Sequence, residues 1–208
     1  MTDRDLEQGF IEVVALDPAL GSILEAYGQP HARTRPQGFE SLLKIIVQQQ
    51  VSLASAAAIW DRLATGLQTV MPERVLAHDI EALRGFGLSL PKARYAHALA
   101  RAVASGELSF DMLAGQDDET AIEALVAVKG IGRWTAEIYL LTALQRPDMW
   151  PAADIALMAS AQDVKGLPSR PNAKEMVTLA ESWRPWRTFA ARLLWHHYRH
   201  TRGRAVPA

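Results

Sequence analysis

Apolar residues recur every three or four positions along nearly the whole of this chain, and runs of alternating β-branched residues are missing. That period belongs to helices and not to strands, so the sequence predicts an all-α fold. Cap residues, prolines and glycines punctuate the pattern. "GFESLLKIIVQQQ" reads as a helix entering at Phe39, and Ser52 is placed to cap "LASAAAIWDRLATGL". Pro72 and Pro91 stand at helix starts, and "DIEALRGFG" ends on glycine. "SFDMLAG", "DDETAIEALVAV", "WTAEIYLLTALQ", "IALMASAQ", "NAKEMVTLAESW" and "PWRTFAARLLWHHYRH" complete a set of roughly ten short helices. No repeat of solenoid length is visible.

With 208 residues, 49% of them hydrophobic, the chain is long enough for a sizeable core in one domain or two closely packed lobes. It has no cysteine, which excludes disulfides, thiolate zinc sites and a cysteine-ligated iron–sulfur cluster. No apolar stretch is long enough to span a membrane, and "MTDRDLEQGF" lacks a signal-peptide core, so a soluble, cytoplasmic protein is expected. The 22 basic and 23 acidic residues nearly cancel, which argues against a nonspecific nucleic-acid coat. DNA binding through backbone donors and a local basic face remains compatible with that balance.

The stretch "AVKGIGRWTAEIYLL" (127–141) interrupts helix with a tight Gly130-Ile131-Gly132 turn and resumes it at once. Backbone N–H groups of such a turn, together with the start of the next helix, form a nest for an anion. Lys129 and Arg133 would add cationic contacts to a phosphate. Taken alone, the same turn serves equally well as an ordinary corner between two helices.

A longer string is more specific. "LVAVKGIGRWTAEIYLL" followed by "RPDMWPAADIALM" resembles the helix-hairpin-helix DNA glycosylase superfamily. Within it, the chain looks most like the bacterial 3-methyladenine DNA glycosylase II family. The matching positions are Gly130, Ile131, Gly132, Trp134, Thr135, Ala136, Pro147, Asp148, Trp150, Pro151 and Asp154. "IIVQQQVSLASAAAIWDRL", "FGLSLPKARYAHALA" and "SWRPWRTFAARLLWHHY" resemble further segments of the same pattern, so the likeness spans about residues 37–200. Lys129 stands where the family usually has proline. Only about 35 residues precede the match, as expected of a short form without the N-terminal β-domain of the longest members. The resemblance implies a two-lobed glycosylase fold with a cleft between lobes. Residues 1–208 would form one glycosylase domain, with a middle lobe at 37–150 carrying the hairpin 128–133. The second lobe would combine 1–36 with 151–208.

The same resemblance implies a monofunctional hydrolase of base excision repair that acts on double-stranded DNA containing alkylated bases. It would flip out alkylated purines such as 3-methyladenine and 7-methylguanine and cut the N-glycosidic bond, leaving an abasic site. Asp154 is the expected catalytic residue. A carboxylate there stabilises oxocarbenium character on the sugar, and a cationic base leaves without the second carboxyl that O-glycosidases need. Pro151 suggests that Asp154 lies in the first turn of a helix, where the dipole favours negative charge. Trp134 and Trp186 are the expected walls of the base pocket, with Ile138 and Ile155 where family members often have tyrosines. An indole face attracts a cationic base. Gln50 is expected to fill the gap left in the stack, and Gln49 or Gln48 to reach minor-groove edges, with Gly130, Ile131, Gly132, Lys129, Arg133, Gln49 and Gln50 as the expected DNA-binding set. Bifunctional relatives carry a catalytic lysine where this chain has Trp134, so no lyase activity is expected.

No cofactor is expected to be required. The hairpin carbonyls of Val126, Val128 and Ile131 correspond to those that hold a structural sodium or potassium ion in the superfamily. His196 and His200 have the spacing of helical metal ligands, but "HHYRH" lacks the glutamate of a zinc-protease motif. They are expected, with Arg187 and Arg199, on a polar or DNA-facing surface. Lys92 and Arg94 are either phosphate contacts or solvated surface. Phe39, Trp60, Trp150 and Trp195 are assigned to core or rim. A monomer without membrane attachment is expected. Three alternatives stay open: a glycosylase for another purine lesion (hypoxanthine, ethenoadenine or an oxidised purine), a noncatalytic helix-hairpin-helix DNA-binding module, and a purely structural helical scaffold.

Overall fold

The computed structural model describes residues 3–31 and 34–203. Among these the regular structure is helical throughout: α1 (Asp3–Leu16), α2 (Pro18–Tyr27), α3 (Phe39–Gln48), α4 (Leu53–Leu67), α5 (Pro72–Leu76), α6 (Ile80–Gly85), α7 (Leu90–Ala104), α8 (Phe110–Gly115), α9 (Asp118–Val126), α10 (Arg133–Thr142), α11 (Ile155–Lys165), α12 (Ala173–Ala180) and α13 (Arg187–Arg202), with a 3₁₀ turn at Glu181–Trp183. The all-α expectation is met. Helices α1 and α2 are additional to the segments the sequence marked out. Asp17 accounts for the start of the second: it caps α2 by accepting from the Ala19 N–H, with Pro18 at the first helical position.

The caps elsewhere follow the sequence signals. Ser52, Asp79, Ser89, Ser109, Asp117 and Asn172 each accept a first-turn N–H with the side chain, and Asn172 forms a full capping box with Glu175. Each such cap contributes about 1 kcal/mol, which matters for helices as short as these, too short to hold together alone.

The chain divides into two compact units, residues 1–34 with 140–208 and residues 35–139. Trp150, expected at the end of the middle lobe, thus lies inside the first unit. The segment before it is tied there by Thr188, whose N–H donates to the Pro147 carbonyl at 3.0 Å and whose hydroxyl donates to the Arg146 carbonyl at 2.7 Å. In that unit α13 packs on α11, α2 and α1. Nine consecutive residues of α13, Thr188 to His196, are buried. Phe10, Leu20, Ile23, Leu157, Phe189 and Leu193 fill the core, and Phe10 meets the Phe189 ring edge-on at 5.4 Å.

The other unit is built on α3 and α7, with α4 against α3, and α5 and α6 against α7. Helix α3 buries Phe39, Leu42, Leu43, Ile45, Ile46 and Val47, which places it at the centre of this core. Burying each such side chain stabilises by roughly 1.5–3 kcal/mol before entropy is counted. Among the described residues no helix is long and apolar enough to cross a membrane.

Candidate active site and DNA-binding hairpin

The residues singled out by sequence fall in both units. In the first unit they converge on the loop between α10 and α11. The loop ends at Asp154, which is 5% exposed. Pro151 does not begin a helix; it closes a turn in which the Asp154 N–H donates to the Pro151 carbonyl at 2.9 Å. Asp154 is therefore not in the first turn of α11, as expected, but one residue earlier, at the N-cap. Its Oδ1 accepts from the N–H groups of Ala156 and Leu157 at 2.9 and 3.0 Å. The same oxygen accepts from the Trp195 indole N–H at 3.2 Å. Cap and catalyst are compatible roles: the helix start holds one carboxylate oxygen and thereby sets the plane of the whole group.

Trp195, assigned only to core or rim, is the side chain that sequence reasoning missed here. It is buried in α13 and lies 41 positions from Asp154, so no local spacing announces the contact. Asp148 was likewise quoted only as part of a motif. The Arg187 guanidinium grips it with Nε on Oδ1 at 2.7 Å and a terminal nitrogen on Oδ2 at 2.9 Å, and it also donates to the Asp148 carbonyl at 2.9 Å. Arg184 adds a bond to Oδ2 at 2.9 Å. Arg187 thus fastens the loop to the start of α13 and does not belong to an outward basic face. The Met149 N–H donates to the Thr188 hydroxyl at 3.0 Å, and the Trp150 indole N–H donates to the Met176 carbonyl at 3.0 Å. The approach to Asp154 is anchored at nearly every residue.

Trp186 stands at the N-cap of α13, half-buried, its ring edge-on to Phe189 at 5.7 Å. Ile155, directly after Asp154, is 67% exposed. The histidines of α13 pack around Tyr27: His200 stacks on its ring at 4.5 Å, and a His196 ring nitrogen lies 3.2 Å from the Tyr27 carbonyl. Burial holds His196 and His197 below the ordinary imidazole range. Among the described residues no cluster of histidine, aspartate or glutamate could hold a metal ion.

In the second unit the hairpin joins α9 to α10. The Ile131 N–H donates to the Val128 carbonyl at 3.0 Å, and Gly130 adopts φ +96°. A Cβ on Gly130 would lie 2.1 Å from the Tyr95 ring, so glycine is required there twice over. Gly132 differs: a Cβ would meet nothing within 4 Å. Ile131 and Val128 are buried, Val126 and Lys129 exposed. Helix α10 begins at Arg133.

Arg133 does not project as a lone cation. Its guanidinium grips Glu119 with bonds of 2.7 and 2.9 Å, and Nε donates to Glu137 at 3.0 Å. These partners raise its pKa, led by the Glu119 bond. Trp134 is half-buried and Ile138 fully enclosed. Gln49 also turns inward: its amide donates to the Gly130 carbonyl at 3.2 Å and to the Thr135 hydroxyl at 2.9 Å. Gln50 is exposed, with φ +55°.

Residues 43–186 match the model of the HhH-GPD superfamily of base excision DNA repair proteins. The chain belongs to this superfamily. It is 28% identical, over 93% of its length and 94% of the relative's, to the alkylbase DNA glycosidase-like protein mag2 of Schizosaccharomyces pombe. Other curated relatives are longer, and the chain spans 58% of one and 42% of another. The crystal structure of a DNA-3-methyladenine glycosidase from Bacillus halodurans superposes with a TM-score of 0.80 at 34% identity, covering 90% of this chain and 87% of that one. The S. pombe 3-methyladenine DNA glycosylase Mag1, solved in complex with abasic DNA, superposes with a TM-score of 0.82 at 27% identity, covering 94% and 97%. In this HhH-GPD protein the hairpin and the Asp154 loop both lie inside the matched span.

Proposed function

We infer that the protein is a DNA glycosylase of base excision repair that removes alkylated purines by hydrolysis of the N-glycosidic bond. The observation that carries this is Asp154: a buried carboxylate, oriented by two backbone N–H groups and an indole N–H, at the end of a loop that α13 anchors along its length. Groups held this firmly need no reorganisation as charge develops, which is where electrostatic catalysis gains most.

The chemistry follows from that carboxylate. As the bond from C1′ to the base nitrogen breaks, its electron pair leaves with the base, and positive charge spreads over C1′ and the ring oxygen. Asp154 stabilises that charge. Water then adds to C1′ and gives up a proton, directly or through Asp154, to solvent. An alkylated purine is cationic before it leaves and neutral afterwards, so no protein acid has to protonate it. An electron-rich indole face, as Trp134 carries in one unit and Trp186 in the other, favours such a base by roughly 0.5–2 kcal/mol over a neutral one. The exposed Ile155 directly follows Asp154 in sequence, whereas Ile138 is enclosed in the core.

The hairpin takes a DNA phosphate on the N–H groups of Gly132 and the first turn of α10, with Lys129 alongside. The open space at Gly132 leaves room for close backbone approach. The carbonyls of Val126, Val128 and Ile131 suit a sodium or potassium ion, since Val126 closes α9 at its negative end. Such an ion would neutralise charge between hairpin and phosphate, with no part in bond breaking. Trp134 in place of a lysine leaves no Schiff-base nucleophile at that position, so the product is an intact strand with an abasic site. The enzyme works as a cytoplasmic monomer on this reading.

The decisive experiment is base release from methylated duplex DNA by the wild type and Asp154→Asn. The wild type should release methylated purines, and the variant should lose roughly 10²-fold or more in rate while still binding DNA. Release of neutral lesions only would reassign the substrate. DNA binding without release of any base would favour a noncatalytic module.

A further inference from the structure

Helix α3 ends at Gln48 and α4 is capped by Ser52, so Gln49, Gln50 and Val51 form a bare turn between two helices. Gln50 sits at its tip, exposed, in the left-handed region at φ +55°. Glycine would adopt that conformation at less cost, and a strained residue of this kind persists only where its surroundings dictate it. The dictating groups are identifiable. The Lys92 ammonium, from the first turn of α7, donates to the Val47 carbonyl at 2.8 Å and to the Gln49 carbonyl at 2.7 Å. It thereby satisfies carbonyls at the C-terminal end of α3, where a helix attracts a cation. Among the described residues the Lys92 ammonium bonds only to these two carbonyls, and burial pulls its pKa down. Its ammonium is engaged by the protein's own backbone. From the other side, the Gln49 amide bridges the hairpin carbonyl of Gly130 and the Thr135 hydroxyl of α10. The turn is held at Gln49 from both α7 and the hairpin, and Gln50 and Val51 are left outward.

We propose that Lys92 is a positioning residue: by holding the Val47 and Gln49 carbonyls it fixes the Gln50 tip and, through Gln49, registers that tip against the hairpin, so that Gln50 enters the base stack in step with the hairpin's grip on phosphate. Given the glycosylase activity inferred above, Lys92 acts only through Gln50 and touches neither DNA nor the departing base.

The test is a double-mutant cycle of Lys92→Met and Gln50→Ala, read as single-turnover excision of a methylated purine from duplex DNA. Binding to duplexes with and without a tetrahydrofuran abasic analogue is measured beside it. Each single variant should slow excision about tenfold or more and lose preference for the abasic duplex, and the double variant should be no worse than the poorer single. Gln49→Leu, which leaves the ammonium in place, should reproduce the loss. Additive effects in the cycle would overturn the proposal. So would a salt dependence of binding to intact duplex that drops by about one ion in Lys92→Met, since that marks a direct phosphate contact. Should Lys92→Met melt far below the wild type, Gln49→Leu decides in its place, and unchanged excision and abasic preference in that variant would refute the coupling. If the wild type releases no base at all, the glycosylase inference fails. The abasic preference still decides the coupling: it supports the proposal if lost in both variants and overturns it if kept.

Discussion

Asp154 is both the proposed catalyst and the N-cap of α11, and the two roles separate on substitution. Asp154→Ala removes the acceptor for Ala156 and Leu157 and leaves the buried indole N–H of Trp195 without this oxygen. Loss of a cap costs roughly 0.5–2 kcal/mol, and an unsatisfied buried donor roughly 1–3 kcal/mol. Together they come to about 2–4 kcal/mol, or roughly 4–16 °C in Tm for a chain of this size. Asp154→Asn keeps an oxygen in place, and asparagine caps about as well as aspartate. Only the charge assistance to those bonds is lost, about 0.5–1 kcal/mol. The assay is urea denaturation of all three proteins beside base release from methylated duplex DNA. Asp154→Asn should be nearly as stable as the wild type and at least 10²-fold slower, whereas Asp154→Ala should be slow and unstable together. Asp154→Ala with wild-type stability would refute the capping account. Asp154→Asn with wild-type rate would refute the catalytic one.

Gly130→Ala should destabilise by more than about 2 kcal/mol, because a left-handed backbone and the Tyr95 ring both oppose a side chain there. Gly132→Ala should stay within about 1 kcal/mol of wild type yet weaken duplex binding in a fluorescence anisotropy titration. Asp148→Asn should cost about 2–3 kcal/mol and slow base release with Asp154 untouched, since Arg187 and Arg184 lose the carboxylate that fastens the loop. Asp17 governs an acid limb: burial alone would raise its pKa, but bonds from Lys165 and Trp183 outweigh this and hold it below 3.8. Its stabilisation is therefore present above pH 3.8 and disappears as pH falls through the lower folded value, so Asp17→Asn should flatten the fall in Tm below about pH 4 while costing about 3 kcal/mol at neutral pH.

Much of the protein is legible along the chain because its signals are local. The three- and four-residue period, Ser52 as a cap, Pro91 at a helix start and the Gly130 turn act over a few residues, and the backbone obeys them wherever they occur. The ordered motif from the hairpin to Asp154 carried the family, because both halves of that motif are contiguous. What the sequence could not assign were the partners of its polar side chains. Arg133 and Gln49 read as groups for DNA, and Lys92 and Arg187 as groups for DNA or for solvent; tertiary structure gives the three cations to the protein's own carbonyls and carboxylates, with Gln49 bridging a carbonyl and a hydroxyl. A cation's charge is visible in sequence. Which oxygen satisfies it depends on segments far apart in the chain, as with Trp195 and Asp154, brought together only when helices bury their apolar faces.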